Sequence, residues 1–367
     1  MEPLKNVYNR TYIQKLALGL KKSEPKFDAV AFEKAVFAGD WKDLELKGRM
    51  RRISITIGKF LPKYPRALSV LLDVAPFFRD YHGMFIPDFV EVYGMLSNHR
   101  RKYWDVSIEM LGEYTKYSSS EFAIRAFLLE DLNGVMKQMK LWSKSENEHQ
   151  RRLSSEGCRP RLPWAAQLPE LRKNPKLILP ILENLKTDPS IYVRKSVANN
   201  LNDISKDHPQ WVLDVAHRWY GENLETDKIV KHGLRTLLKQ GNQKAIGLLG
   251  YQNAKDIKVK DFVLRTPVVT LGQALDFSFS FEMQKKGKVR LEYGIYYLRK
   301  NGQHNKKVFK ISEGDFDTGV YQYDRKQAFR KISTRRHYAG SHKVSLILNG
   351  EEKWLHEFDV QPPSPNS

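Results

Sequence analysis

Between Gly250 and Lys260 the hydrophobic pattern of this chain changes period, and no single layer of secondary structure can accommodate both halves. Upstream, apolar residues recur every three to four positions, as amphipathic helices require. Downstream they alternate: Leu275, Phe277, Phe279 and Phe281 are interleaved with Asp276, Ser278, Ser280 and Glu282, the pattern of a half-buried strand. The 367 residues are therefore expected to divide into a helical domain over 1–252, a β domain over 256–361 and a flexible tail over 362–367.

The helical part reads as a stack of hairpins. Residues 27–38 place Phe27, Val30, Ala31, Lys34 and Phe37 at helical spacing, and further stripes cover 44–61, 66–75, 85–96, 103–117 and 122–142. Ser118-Ser119-Ser120 stands ready to cap the last of these, with Glu121 in its first turn. The clearest unit starts with Asp188 as cap and Pro189 at the first helical position. It runs through Val193, Val197, Leu201 and Ile204, turns at Asp207-His208-Pro209, and continues through Trp211, Val215 and Trp219. That D-P-x-x-x-V-R-K-x-V-A-x-x-L pattern resembles HEAT-like repeats, with Arg125 and Lys231 at positions comparable to Arg194 in neighbouring units. Stacked units of this kind form a solenoid with a concave face. Arg194, Lys195 and Lys231, with Arg125 at a further level, would set a basic stripe along it that suits a phosphate backbone; each alone is better read as solvated helix surface, and it is the repetition that favours the stripe.

Residues 154–164, Ser-Ser-Glu-Gly-Cys-Arg-Pro-Arg-Leu-Pro-Trp, fit neither period. Pro160 and Pro163 restrict the backbone and make the segment a stiff connector that holds Glu156, Arg159, Arg161 and Trp164 in fixed directions. Such a loop is either functional or a linker anchored by a buried Trp. Cys158 is the one cysteine, which excludes an internal disulfide and a cysteine zinc cluster. Nearby guanidinium groups would lower its pKa, but no histidine in the loop stands ready as a base, so a small structural residue is expected. No HExxH or HxH spacing supports a metal site.

The β part carries six or seven short strands with turns at Lys300-Asn301-Gly302 and Asn349-Gly350, the signature of an immunoglobulin-like sandwich without its cysteine pair. It is basic as well. The hairpin tip from Arg299 through Lys300, His304 and Lys306 to Lys307 suits a DNA minor groove and its phosphates. The run 325–343, including Arg335 and Arg336, contains seven Lys or Arg and no acid; protection of an edge strand explains it equally well.

Sixty-two Lys and Arg against forty-two Asp and Glu give a net charge of +20, which calls for a polyanionic partner, nucleic acid or an anionic membrane surface. No apolar run approaches the ~18 residues of a membrane span, and the N-terminus has no leader pattern, so a soluble intracellular protein is expected.

With solenoid, stiff loop and sandwich in hand, the chain resembles the AlkC branch of the HEAT-like alkylpurine DNA glycosylases, related to AlkD. Ser-Ser-Ser-Glu-Phe-Ala-Ile-Arg-Ala-Phe from Ser118, the 154–164 loop and the Asp188 hairpin carry the resemblance. It implies an all-α HEAT-like repeat solenoid followed by an all-β immunoglobulin-like sandwich. It also implies a monofunctional DNA glycosylase that hydrolyses the N-glycosidic bond of cationic 3-methyladenine and 3-methylcytosine in double-stranded DNA. No metal, no cofactor and no deep base-flipping pocket are expected, and the protein should be a cytoplasmic, nucleoid-associated monomer. Glu121, Glu156 and Asp203 become the acidic cluster and Trp164 its aromatic partner, with Arg159, Arg161, Arg194, Lys195 and Lys231 contacting DNA. A catalytically inert repeat adaptor explains composition and repeats equally, whereas a nuclease would want metal-binding Asp and His clusters that the chain lacks.

Overall fold

The computed structural model describes residues 2–330 and 336–362. Chain contacts gather them into two compact units, Met1–Val212 with Gly221–Gly233, and Leu213–Tyr220 with Leu234–Ser367. The change of hydrophobic period and the change of compact unit do not coincide. The short helices Arg235–Lys239 and Gln243–Leu248 belong with the strands.

In the first unit, helices Leu46–Phe60, Phe85–Gly94, Trp104–Tyr114, Glu148–Glu156, Ile191–Ile204 and Leu224–Gly233 form a row in which each packs on the next. This nearest-neighbour packing lets repeat proteins bury faces that no single hairpin could cover. Four sequence expectations shift. The helix expected over 27–38 is Ala29–Val36, and its buried residues are Phe32 and Val36, while Val30 is 80% exposed. Asp28 caps it by accepting from Ala31 N at 3.0 Å, and the rings of Phe27, Phe32 and Phe60 cluster at 5.2–6.1 Å, which turns Val30 outward.

The stripe over 122–142 is two helices, Ile124–Glu130 and Leu132–Trp142, because Asp131 accepts from Gly134 N and caps a new start. No side chain caps the first of them. Ser119 hydrogen-bonds the Glu121 carboxylate instead, and Ser120 donates to Leu111 O. The hairpin expected from Pro189 begins at Ile191; the Asp188 carboxylate takes Ser190 N at 2.9 Å and Arg151 Nε at 2.6 Å, tying the turn to the preceding helix.

The second unit holds eight strands among its described residues: β1 (Ile257–Leu264), β2 (Val268–Thr270), β3 (Ala274–Met283), β4 (Gly287–Leu298), β5 (His304–Phe316), β6 (Gly319–Ala328), β7 (Gly340–Leu348) and β8 (Glu351–Gln361). They form a three-stranded sheet, β1-β3-β6, and a five-stranded sheet, β2-β8-β7-β4-β5. All pairings are antiparallel except β2 with β8. Leu275, Phe277, Phe279 and Phe281 are all buried in the core between them, as their period requires. Asn349 and Gly350 turn β7 into β8 with φ of +47° and +77°, the two left-handed residues that a type I′ hairpin needs.

Candidate functional site

Close packing of helices Glu148–Glu156 and Ile191–Ile204 places the site. Ser155 and Ser196 meet hydroxyl to hydroxyl at 2.6 Å, and the Asn200 side-chain amide donates to Ser155 O at 2.8 Å. Gly157 follows, where a Cβ would stand 2.8 Å from Ile124 Cγ2 and 2.9 Å from Met139 Cε, so only glycine lets the chain leave the helix here. Ser154, Ser155 and Glu156 are therefore the last turn of a helix, and the irregular connector starts only at Gly157.

Arg125 holds that connector. Its side chain is 1% exposed, and it donates to three backbone carbonyls: Ala166 O at 2.6 Å, Gly157 O at 3.0 Å and Arg159 O at 2.8 Å. Burial pulls its pKa down to about 10, still charged at neutral pH. The expectation of Arg125 on an exposed basic stripe is thus corrected, since it fastens the loop from within. Cys158 is fully buried, with its thiol directed at Ser154 O. Burial pushes its pKa up to about 12 against the smaller opposing effects of Asn200 and Arg125, so it is an unreactive structural thiol.

Glu121, Glu156 and Asp203 come from three separate segments and meet in one alternating chain of charge. Arg152 Nη1 donates to Glu121 Oε2 at 2.6 Å, and its Nη2 lies 3.5 Å from Glu156 Oε1. Arg159 donates to the same Glu156 oxygen at 2.6 Å and through Nε to Asp203 Oδ2 at 2.8 Å. Lys206 closes the series at 3.1 Å from Asp203 Oδ1. Burial opposes the charges on Arg152 and Arg159, but the flanking carboxylates more than offset it and hold both pKa values above the ordinary guanidinium value. Accessibility falls along the series: the Glu121 side chain is 15% exposed, Glu156 6% and Asp203 2%. Glu121 is thus the most exposed of the three carboxylates.

Sequence reasoning missed Arg152, Lys206 and Tyr192. The Arg152 guanidinium lies 4.8 Å from the Tyr192 ring, and burial raises the phenol pKa. The available signal was the i, i+4 spacing of Arg152 and Glu156 on one helix.

Three of the expected phosphate contacts, Arg159, Arg161 and Arg194, are engaged otherwise. Arg159 is buried and bound to two carboxylates. Arg161 forks onto Asp207 at 2.8 and 2.6 Å, where Arg172 also donates. Arg194 pairs with Glu225 and donates to Asp188 O at 2.5 Å and Pro189 O at 2.9 Å, while Lys195 and Lys231 are exposed.

Trp164 is 70% exposed with a left-handed φ of +63°, and its carbonyl accepts from Lys47 Nζ at 2.7 Å. That exposure rules out the buried-anchor reading.

In the β unit, Arg299, Lys300, His304, Lys306 and Lys307 all lie exposed on the β4–β5 tip. Lys306 is paired with Glu352 at 2.9 Å, and His304 Nε2 lies 2.9 Å from Ser341 O. The Arg336 guanidinium sits 5.5 Å from the Tyr338 ring, and Arg335 lies outside the described residues. Among the described residues no three His, Cys, Asp or Glu side chains are grouped to hold a metal ion, and no helix is long and apolar enough to cross a membrane.

Comparison with known proteins shows the chain's relatives. Residues 116–223 match the family model described as DNA alkylation repair enzyme, and residues 258–362 match that of the C-terminal Ig-like domain of YhaZ. The YhaZ protein of Bacillus subtilis is 44% identical over 98% of this chain and 100% of its own length. Pseudomonas fluorescens alkylpurine DNA glycosylase AlkC, solved bound to DNA containing an abasic-site analogue, superposes with a TM-score of 0.92 at 38% identity, covering 98% of this chain and 100% of its own. Both units, in order and nearly end to end, are shared with that enzyme, and the chain belongs to the AlkC family of DNA alkylation repair proteins.

Proposed function

We propose that this protein is a monofunctional DNA glycosylase that releases cationic alkylated bases, 3-methyladenine and 3-methylcytosine, from double-stranded DNA without metal or cofactor. The observation that carries the reading is the convergence of Glu121, Glu156 and Asp203 on one charge-ordered site, with an exposed Trp164 whose backbone Lys47 ties to Phe122, the residue after Glu121. A cationic base needs no protonation to leave. As the bond from its nitrogen to C1′ breaks, the electron pair neutralises the base and positive charge builds on the sugar. The Glu121 carboxylate stabilises that charge, then accepts the proton of the water whose oxygen bonds to C1′. Products are a neutral base and an abasic site.

In this scheme the more buried acids serve Glu121. Glu156 and Asp203 hold Arg159, and Glu156 shares Arg152, so the field at Glu121 is fixed before DNA arrives. The ring of Trp164 offers its face to the cationic nucleotide, an interaction of ~0.5–2 kcal/mol. Lys195 and Lys231, with the exposed Arg299 and Lys300 of the β4–β5 tip, supply phosphate contacts. Incubation with methylated duplex DNA in EDTA, followed by mass spectrometry of the free bases, tests the reading. Release of 3-methyladenine and 3-methylcytosine is expected; an inert repeat adaptor would release nothing.

A further inference from the structure

Leu162, Pro163, Trp164 and Ala165 make a tight turn: Ala165 N donates to Leu162 O at 3.3 Å, a proline stands second and a left-handed residue, φ +63°, stands third. That is the arrangement of a type II turn, whose third position ordinarily goes to glycine because a Cβ is strained there. Here it carries tryptophan. Packing does not explain the choice, since the indole is 70% exposed and buries little in return. Strained backbone persists only where its surroundings over-determine it, and the groups that hold this turn are identifiable.

From within the fold, Arg125 Nε takes Ala166 O at 2.6 Å and fixes the chain just after the turn. From outside, Lys47, the second residue of helix Leu46–Phe60, takes the carbonyl of the strained residue itself, Trp164 O, at 2.7 Å. The charge on the donor makes this bond a strong one for an exposed pair. Among the described residues that carbonyl is the one hydrogen-bond partner of Lys47, and no carboxylate pairs with the ammonium. The same ammonium lies 4.5 Å from the Phe122 ring centre, one residue from Glu121. Lys47 therefore sets the distance between the segment that carries Glu121 and the turn that carries Trp164.

We propose that Lys47 is a positioning residue, which clamps the strained turn so that the Trp164 ring keeps a fixed place relative to Glu121, and which acts on base release only through that ring. What the ring recognises rests on the glycosylase reading. Without the ammonium the turn can flip from type II to type I, in which the third residue takes the negative φ that a side chain prefers, and the direction of the indole changes with it. The competing role for an exposed lysine in a DNA-binding protein is a phosphate contact. That role predicts a different pattern of losses, because phosphate contacts weaken binding to every sequence and change its salt dependence.

Lys47→Met keeps the apolar stem and removes the charge, and because Lys47 is exposed the melting temperature should not move. Fluorine NMR of the full chain labelled with fluorotryptophan reads the ring directly: the chain has seven tryptophans, and the Trp164 signal is the one lost in Trp164→Phe. In Lys47→Met that signal alone should shift. Single-turnover release of 3-methyladenine should fall at least about tenfold, with binding of undamaged DNA and its salt slope unchanged, and Lys47→Arg should recover most of the loss. In a Trp164→Ala background Lys47→Met should cost nothing more, since the two residues act as one unit. An unmoved Trp164 signal, a further loss in that background, or a salt slope flattened by ~0.9 with all DNA bound more weakly overturns the proposal. The NMR shift needs no turnover, so a shifted signal in a protein that releases no base would refute the glycosylase reading and leave the clamp standing. Release by the wild type with an unmoved signal in Lys47→Met would refute the clamp alone.

Discussion

Asp203→Asn tests whether the buried acids position the site or merely decorate it. The substitution keeps shape and one acceptor but removes a charge from a residue that is 2% exposed and bound to Arg159 at 2.8 Å and Lys206 at 3.1 Å. Removing one partner of a buried ion pair costs ~3–5 kcal/mol when the other is left alone. Arg159 is not left alone, because Glu156 holds it at 2.6 Å, and the asparagine oxygen can still accept from its Nε. The loss is therefore nearer that of one charged hydrogen bond, ~1.5–3 kcal/mol.

For a unit of this size, at about 2–4 °C per kcal/mol, that lowers the melting temperature by roughly 3–12 °C. Excision should also fall about tenfold or more, ~1.4 kcal/mol of barrier, because Arg159 is freed to pull Glu156 away from Arg152. Helical ellipticity during melting gives the first quantity. Single-turnover excision well below the transition gives the second. A variant that melts and excises like the wild type would remove Asp203 from the site altogether. Slower excision with an unchanged melt would mean that the Arg159 pair contributes nothing to stability and that the acid acts directly.

Three further outcomes follow from the same geometry. Trp164→Ala should leave the melting temperature within about 1 °C, since a side chain 70% exposed contributes little burial, while 3-methyladenine excision falls and binding of undamaged DNA does not; equal losses in both would reject the cation–π role. Hydrogen bonds from Arg161, then Arg172, hold the Asp207 carboxyl well below the usual carboxylate range, so the stability it contributes is present above about pH 4 and lost as pH falls below that. Melts from pH 6 to pH 3 should show a shallower acid loss in Asp207→Asn than in the wild type, and parallel curves would exclude the pair. Reversing Arg299 and Lys300 to Glu should flatten the dependence of log K on log salt by ~0.9 for each phosphate no longer neutralised, whereas an unchanged slope would leave the β4–β5 tip off the DNA.

The parts of the fold legible in sequence are those where local pattern and tertiary packing agree. Alternation over Leu275–Phe281 and the Asn349-Gly350 turn each determine their own neighbourhood, and both strand and hairpin stand as expected. The short helix at Ala29–Val36 is hard to orient from sequence because two turns of helix carry too few apolar residues to fix a face; the Asp28 cap and the Phe60 ring decide it. Asp131 hides inside an apolar stripe because a capping acid and a surface acid look alike in sequence.

The site is harder still. Nothing local tells an arginine facing phosphate from one facing carboxylate, and Arg159 and Arg161 are decided by Asp203 and Asp207, more than forty residues away. The acidic trio itself is legible only through the family resemblance, and only the packing of helices Glu148–Glu156 and Ile191–Ile204 brings Arg152 and Arg159 between its members.

The most direct test of the account is the single-turnover rate of 3-methyladenine release from duplex DNA, in EDTA, by the wild type and Glu121→Gln. Glu121 is the accessible end of the charge series, held by Arg152 and Ser119. Metal-free release by the wild type, slowed at least a hundredfold, ~2.7 kcal/mol, in a variant that binds DNA normally, is the predicted result. Release at the wild-type rate by Glu121→Gln, or none by the wild type once EDTA is present, would contradict it.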